Sequence, residues 1–257
     1  MKLQIVPARK GAQWVKLGIT TFLKQPFALA SLFFMFMAAM SVLSLIPIAG
    51  NVAALVLLPA ATVGMMAAAR AAAAGEFPRP PMLIVALRSG KDIRRSFLVL
   101  GALYAVGFLL ILGISATIDG GKFARLYLIG GSMEADVLGE VDFETALLAA
   151  MALYMPLSMM FWHAPALVLW HGVTPVKSLF FSMAACLRNF WTFALFSITW
   201  FGVFLAMGMV VALLATLLGA ADYVGAFMFP LAMLMAAMFF TSIYFTFSAC
   251  FSSETEV

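Results

Sequence analysis

Six stretches of this sequence, about 27–48, 51–74, 97–118, 146–170, 191–218 and 225–250, are continuously apolar enough to cross a bilayer as helices of roughly 20 residues. None alternates apolar and polar residues as a membrane barrel strand would. A helix also satisfies its own backbone in hydrocarbon, where no water is available. The six stretches therefore predict six transmembrane helices. Composition closes the alternatives. The chain has 257 residues, of which 65% are hydrophobic and 10% charged, against about 45–50% and about 25% in a soluble domain. Its mean hydropathy is +1.09. A soluble fold of this length could not hide so much apolar surface. A soluble enzyme, a disordered chain and a nucleic-acid-binding protein are excluded. The first stretch is not read as a cleavable signal, because about 26 residues precede it and its apolar run is too long.

The net charge of +4 is small, but the charges are segregated. Lys2, Arg9, Lys10, Lys16 and Lys24 precede the first span. Arg70, Arg79, Arg88, Lys91, Arg94 and Arg95 lie around the second-to-third connection, and Lys177 and Arg188 in the fourth-to-fifth. Thirteen of the fifteen basic residues thus fall on one side, leaving only Lys122 and Arg125 on the other. The connection holding those two also carries Asp119, Glu134, Asp136, Glu140, Asp142 and Glu144, and Asp222 lies in the fifth-to-sixth turn. The bias of Lys and Arg toward the cytoplasm predicts that both termini are cytoplasmic. Residues 119–145 then form an acidic outer loop, with the pairs Gly120–Gly121 and Gly130–Gly131 turning around a short amphipathic piece, Lys122 to Ile129. Cys186 and Cys250 fall at the cytoplasmic side, where thiols stay reduced.

A single membrane domain built from three copies of one unit is expected, over approximately 9–78, 79–173 and 174–250. Each copy is a cytoplasmic amphipathic segment followed by a transmembrane hairpin. An offset of 97 residues maps Pro59 to Pro156, Gly75 to Gly172, Pro78 to Pro175 and Lys91 to Arg188. Pro230 is the counterpart in the third hairpin. Each of Pro59, Pro156 and Pro230 removes one helix hydrogen bond and is expected to bend its helix. Such bends could open a cytoplasm-facing vestibule, or reflect only that prolines are common in membrane helices.

At 100° per residue, 9–25 puts Ala12, Trp14, Val15, Ile19, Phe22 and Leu23 in one half. Arg9, Lys10, Gln13, Lys16, Thr20 and Lys24 fall in the other, with Leu17 among them. This is the pattern of an interfacial helix, with its apolar face in the acyl boundary and its basic face toward anionic head groups. Residues 175–189 repeat it. Val176, Leu179, Phe180, Met183 and Leu187 make one face, and Lys177, Ser178, Ser182, Arg188 and Asn189 the other. Residues 81–95, interrupted by Gly90, are a weaker version that brings Lys91, Arg94 and Arg95. These segments either recognise head groups or act as a collar that fixes the bundle at its depth.

Ionisable groups inside the spans are scarce, and such groups are functional candidates by default. Arg70, near the cytoplasmic end of the second span, and His163, in the fourth, are expected to line one cytoplasm-facing cavity, with Tyr154, Ser158 and Thr241 nearby. The alternatives are a snorkelling Arg70 and a neutral, hydrogen-bonded His163. No catalytic or metal-ligating constellation is recognisable, and no cofactor is implied. Close helix packing is expected at the alanine-rich second span and at Gly202 and Gly208.

The opening Met1-Lys2-Leu3-Gln4-Ile5-Val6-Pro7-Ala8-Arg9, with Trp14, resembles an uncharacterised family of proteobacterial inner-membrane proteins. Ser44-Leu45-Ile46-Pro47, Leu58-Pro59, Gly64, Arg70 and Gly75-Glu76-Phe77-Pro78 continue the resemblance. It covers roughly the first 95 residues, and beyond them extends to topology alone. The chain is also distantly similar to membrane domains attached to glycerophosphodiester phosphodiesterases, without their catalytic domain. The resemblance implies a bacterial inner membrane and a six-helix fold. Two function classes fit. One is a non-enzymatic accessory, assembly or lipid-organising factor, whose partners are anionic lipid head groups at the cytoplasmic face and another membrane protein. The other is a transporter or lipid-translocating protein with a cavity near Arg70 and His163.

Overall fold

A computed structural model of the chain describes residues 2–130, 139–219 and 224–252. Glu134, Asp136, Gly131 and Asp222 lie outside the described residues. Among the described residues the protein is all-α apart from one minimal ribbon, in which strand β1 (Lys2–Leu3) pairs antiparallel with β2 (Phe251–Ser252). Six helical segments are long and apolar enough to cross a membrane. They are α2 (Pro26–Ser44), α3 (Ala49–Ala73), α5 (Lys91–Asp119), the α7–α8 pair (Val141–Trp162 and Ala164–His171), α10 (Phe190–Leu217) and α11 (Val224–Cys250). Between them lie α1 (Lys10–Lys24), a 3-10 turn (Pro80–Ile84) leading into α4 (Val85–Arg88), α6 (Lys122–Ile129) and α9 (Pro175–Arg188). This is an integral membrane protein.

The boundaries follow local chemistry. α1 and α2 are separated by Gln25 alone, and α9 and α10 by Asn189 alone. Pro26 and Pro175 open their helices, where a missing N–H costs nothing because the first-turn donors have no intrahelical acceptor. Gly75 and Gly172, the pair related by the 97-residue offset, both follow a helix end in left-handed backbone, at φ +83° and +60°. A side chain at either position would strain the turn. α6 coincides with the amphipathic piece expected at Lys122 to Ile129.

The fourth span departs from expectation. Helices α3, α7 and α11 run on through Pro59, Pro156 and Pro230. A break that was not expected comes at His163, between α7 and α8, just before Pro165. Pro165 cannot donate and its ring crowds the preceding turn, so a new helix starts there. The Ser182 hydroxyl occupies the gap. It accepts from the His163 backbone N–H (2.9 Å) and donates to the Met159 carbonyl (2.7 Å). In an unbroken helix that N–H and that carbonyl would bond each other. A side chain inserted into the ladder is a recognised cause of a helix break.

The chain forms two compact units, one within Met1–Phe34, Met65–Met82 and Ala185–Val257, the other within Met35–Gly64 and Leu83–Ala184. In the first, α1 packs on α10 and α11. Trp14 is buried against Phe193 and Phe196, with ring centroids 5.4 and 6.1 Å away. Gly18 sits so close to Ser242 that any side chain would collide with it. In the second, α5 packs along α7, with α6 and α8 against it, and Gly101 lies against the Val56 backbone. Close packing therefore uses Gly18 and Gly101. Gly202, expected at a helix contact, has open space beside it, and Gly208 meets only the flexible end of Met228.

Candidate functional site

The two amphipathic helices turn opposite faces outward. In α1 the face running through Gly11, Trp14, Val15, Gly18 and Phe22 is buried, while Lys16, Leu17, Leu23 and Lys24 are exposed. Its aromatic residues therefore contact protein rather than acyl chains, which corrects the expectation of a lipid-facing apolar side. The signal was the pair Gly11 and Gly18, seven residues apart on the Trp14 stripe: small residues there permit a helix–helix approach.

α9 is arranged the other way. Ser178, Ser182 and Asn189, expected on a polar outer face, are buried. The residues turned outward are Val176, Phe180 and Leu187, at 68%, 70% and 53% exposure, beside exposed Lys177 and Arg188. Every buried polar group must be hydrogen-bonded to be tolerated. Ser178 donates to Pro175 O (2.7 Å), and Ser182 bridges the break in the fourth span. Cys186, on the same buried side, has its thiol pushed up to about 12 by burial, with Cys250 nearby adding to the rise. A thiol so raised stays protonated and unreactive at neutral pH.

Asn189 organises the first unit in a way the sequence pattern did not reveal. Its side-chain oxygen accepts from Val6 N (2.7 Å). Its amide donates to Gln4 O (3.1 Å) and Ala185 O (3.0 Å). Thr192 Oγ1 donates to Val6 O (2.8 Å), and Gln4 N to Cys250 O (2.9 Å). The N-terminal segment 2–6 is thus strapped to the α9–α10 junction and to the end of α11. At the α1–α2 junction, Gln25 Nε2 donates to Glu76 O (3.1 Å).

The expected head-group contacts are accessible. Arg9, Lys16, Lys24, Lys91, Arg94, Arg95, Lys177 and Arg188 are exposed, and Lys10 is half-buried. The expected cavity residues divide between the units. Arg70 is exposed and Thr241 fully buried in the first unit, where the Thr241 hydroxyl donates to Ala237 O in its own helix (2.8 Å). In the second unit His163 is fully buried at the helix break, Ser158 donates to Met155 O (2.7 Å), and Tyr154 meets Tyr104 hydroxyl to hydroxyl at 3.3 Å. Ser158 bonds its own helix, and Tyr154 belongs to an aromatic wall with Tyr104 and Phe108.

At the described start of the acidic connection one carboxylate is taken up by the fold. Asp119 is buried, and its carboxylate accepts from Gly121 N (2.8 Å) and Phe123 N (2.7 Å) at the start of α6. Such a carboxylate satisfies donors that an isolated helix start leaves open. Glu140 pairs with Lys122.

A curated relative from Burkholderia thailandensis, named as a "probable inner membrane protein", is 39% identical over 257 residues, covering 99% of this chain and 95% of the relative. No family model and no solved structure matches the chain.

Proposed function

This chain belongs to the same family as that Burkholderia thailandensis inner-membrane protein, and from its exposed basic and apolar side chains we propose a non-enzymatic accessory, assembly or lipid-organising factor of the bacterial inner membrane. α9 carries the reading. It turns its hydroxyl and amide side chains into protein and leaves Val176, Phe180 and Leu187 outside with Lys177 and Arg188. In water that arrangement is unfavourable. At a bilayer interface it is favourable, with apolar groups in the acyl boundary and cations among phosphates. Each basic residue near an anionic surface contributes about 1 kcal/mol. The exposed set from Arg9 to Arg188 would act together as a collar.

The proposed topology has three hairpins, each after an amphipathic segment, with both termini in the cytoplasm. The charge segregation supports it. So do the matched hinges Gln25 and Asn189 and the matched turns Gly75 and Gly172.

The test uses full-length protein reconstituted in vesicles of phosphatidylethanolamine and phosphatidylglycerol. Lys16→Gln, Lys24→Gln, Lys177→Gln and Arg188→Gln are combined, and the lipids retained after extraction are weighed by mass spectrometry. The expected result is a several-fold fall in retained phosphatidylglycerol relative to phosphatidylethanolamine. An unchanged ratio would reject head-group recognition and leave only a depth-setting collar.

A further inference from the structure

A pocket of about 190 Å³ opens in the second unit between α5, α6 and α7. Phe108, Ile111 and Leu112 line it from α5, Phe123 from α6, and Ala150, Met151 and Tyr154 from α7. We propose that this pocket holds one acyl chain of a membrane phospholipid. The inference is independent of the basic collar.

Three observations carry it. The first is the chemistry of the wall. The side chains are apolar except for the Tyr154 hydroxyl, which already meets that of Tyr104. A buried water needs two to four polar partners, which this wall lacks. A void left empty would forfeit dispersion contacts along its whole lining. The pocket is also smaller than the roughly 300–1,000 Å³ of a drug-sized site, a size that suits a linear chain entering by its end.

The second is location. α5 and the α7–α8 pair are membrane spans, and Met151 and Tyr154 are exposed on the outer surface of α7. What surrounds these exposed residues in a membrane is hydrocarbon. The basic face of α6, with Lys122 and Arg125, carries the two cations found between the third and fourth spans. An amphipathic helix with such a face lies at the head-group boundary, so a chain passing beneath α6 belongs to a lipid whose phosphate is at that level.

The third is rigidity. α6 is held at its start by the Asp119 carboxylate and to α7 by the Lys122–Glu140 pair. Near its end, the Leu128 carbonyl accepts from Ile48 N (3.0 Å) and Asn51 Nδ2 (2.8 Å). Ile48 adopts left-handed backbone, φ +60°, to make its bond. A β-branched residue reaches that region only when its surroundings enforce it. The aromatic wall is interlocked as well: Phe108 lies 4.7 Å from Tyr127 and 6.0 Å from Tyr154, centroid to centroid. The pocket is therefore formed before any ligand enters, and binding requires little ordering of the protein.

The experiment reconstitutes full-length protein in phosphatidylethanolamine vesicles doped with phosphatidylglycerol carrying a photoactivatable diazirine on one acyl chain. Labelled peptides are then mapped by mass spectrometry. Label is expected to concentrate on residues 108–112 and 150–154, several-fold above that on the exposed helix α10. Ala150→Phe, which fills the pocket, should reduce it to the α10 level and leave α10 labelling unchanged. Met151→Trp, at an exposed position that tolerates a larger side chain, should produce the same loss and decides the matter if Ala150→Phe does not fold. Pocket labelling no higher than on α10, or labelling unchanged by both pocket-filling variants that fold, would overturn the proposal.

Discussion

At the scale of single residues, the positions that matter most are small polar side chains buried where they repair the backbone. Ser182 stands between His163 N and Met159 O, and Asn189 between the N-terminal segment and the α9–α10 junction. Ser182→Ala removes both bonds of the bridge at once. Losing a buried hydrogen-bond partner costs about 1–3 kcal/mol, so a lowered thermal unfolding midpoint is expected in detergent, followed by fluorescence-detected size exclusion. Asn189→Ala should lower the midpoint by at least as much. It should also expose residues 2–6 to limited proteolysis, which the first variant should not. Equal protease resistance of wild type and Asn189→Ala would mean that the strap holds without its central amide. Neither role is legible from a helical wheel. A wheel sorts residues by polarity and cannot tell a hydroxyl that faces water from one that completes a broken helix.

At the scale of elements, the chemistry of the partner decides which face of an amphipathic helix turns inward. α1 buries its aromatic stripe because α10, against which it packs, supplies Phe193 and Phe196 within reach of Trp14, with Phe239 of α11 behind Phe196. Gly18 lets the helix backbone close onto Ser242, whose hydroxyl meets Trp200 Nε1 at 3.2 Å. Gly18→Leu forces these elements apart. Overpacking of this kind costs typically 1–3 kcal/mol, so the unfolding midpoint should fall clearly, whereas Gly202→Leu, beside open space, should leave it nearly unchanged. A comparable fall in both variants would place the contact elsewhere. The element boundaries themselves were largely readable. Pro26, Pro175, Gly75, Gly90 and Gly172 mark starts and stops by backbone chemistry alone. The split of the fourth span is readable in principle from Pro165, which lies deep in an apolar run.

At the scale of the whole molecule, the protein is a multi-pass inner-membrane protein with six helical segments, among the described residues, able to span a membrane. The proposed orientation is tested by fusions. Alkaline phosphatase joined after Gly139 should be active, because that connection is assigned to the outside. A fluorescent protein joined after Val257 should fluoresce, because the C-terminus is assigned to the cytoplasm. The reverse pattern would invert the topology and move the basic collar to the opposite leaflet. By itself the sequence determined the class of the protein and the number of its spans, because hydrocarbon admits so few backbone solutions that a run of apolar residues is nearly sufficient evidence. It also determined where the cations lie along the chain. Only the tertiary structure decided which side of α1 and α9 is buried, that Ser182 bridges the break in the fourth span, that Asn189 gathers the N-terminal segment, and that α5, α6 and α7 leave an apolar pocket between them. The reason is physical. Insertion depends on hydrophobicity summed along a segment, whereas burial, bridging and cavities depend on which groups distant segments bring opposite one another.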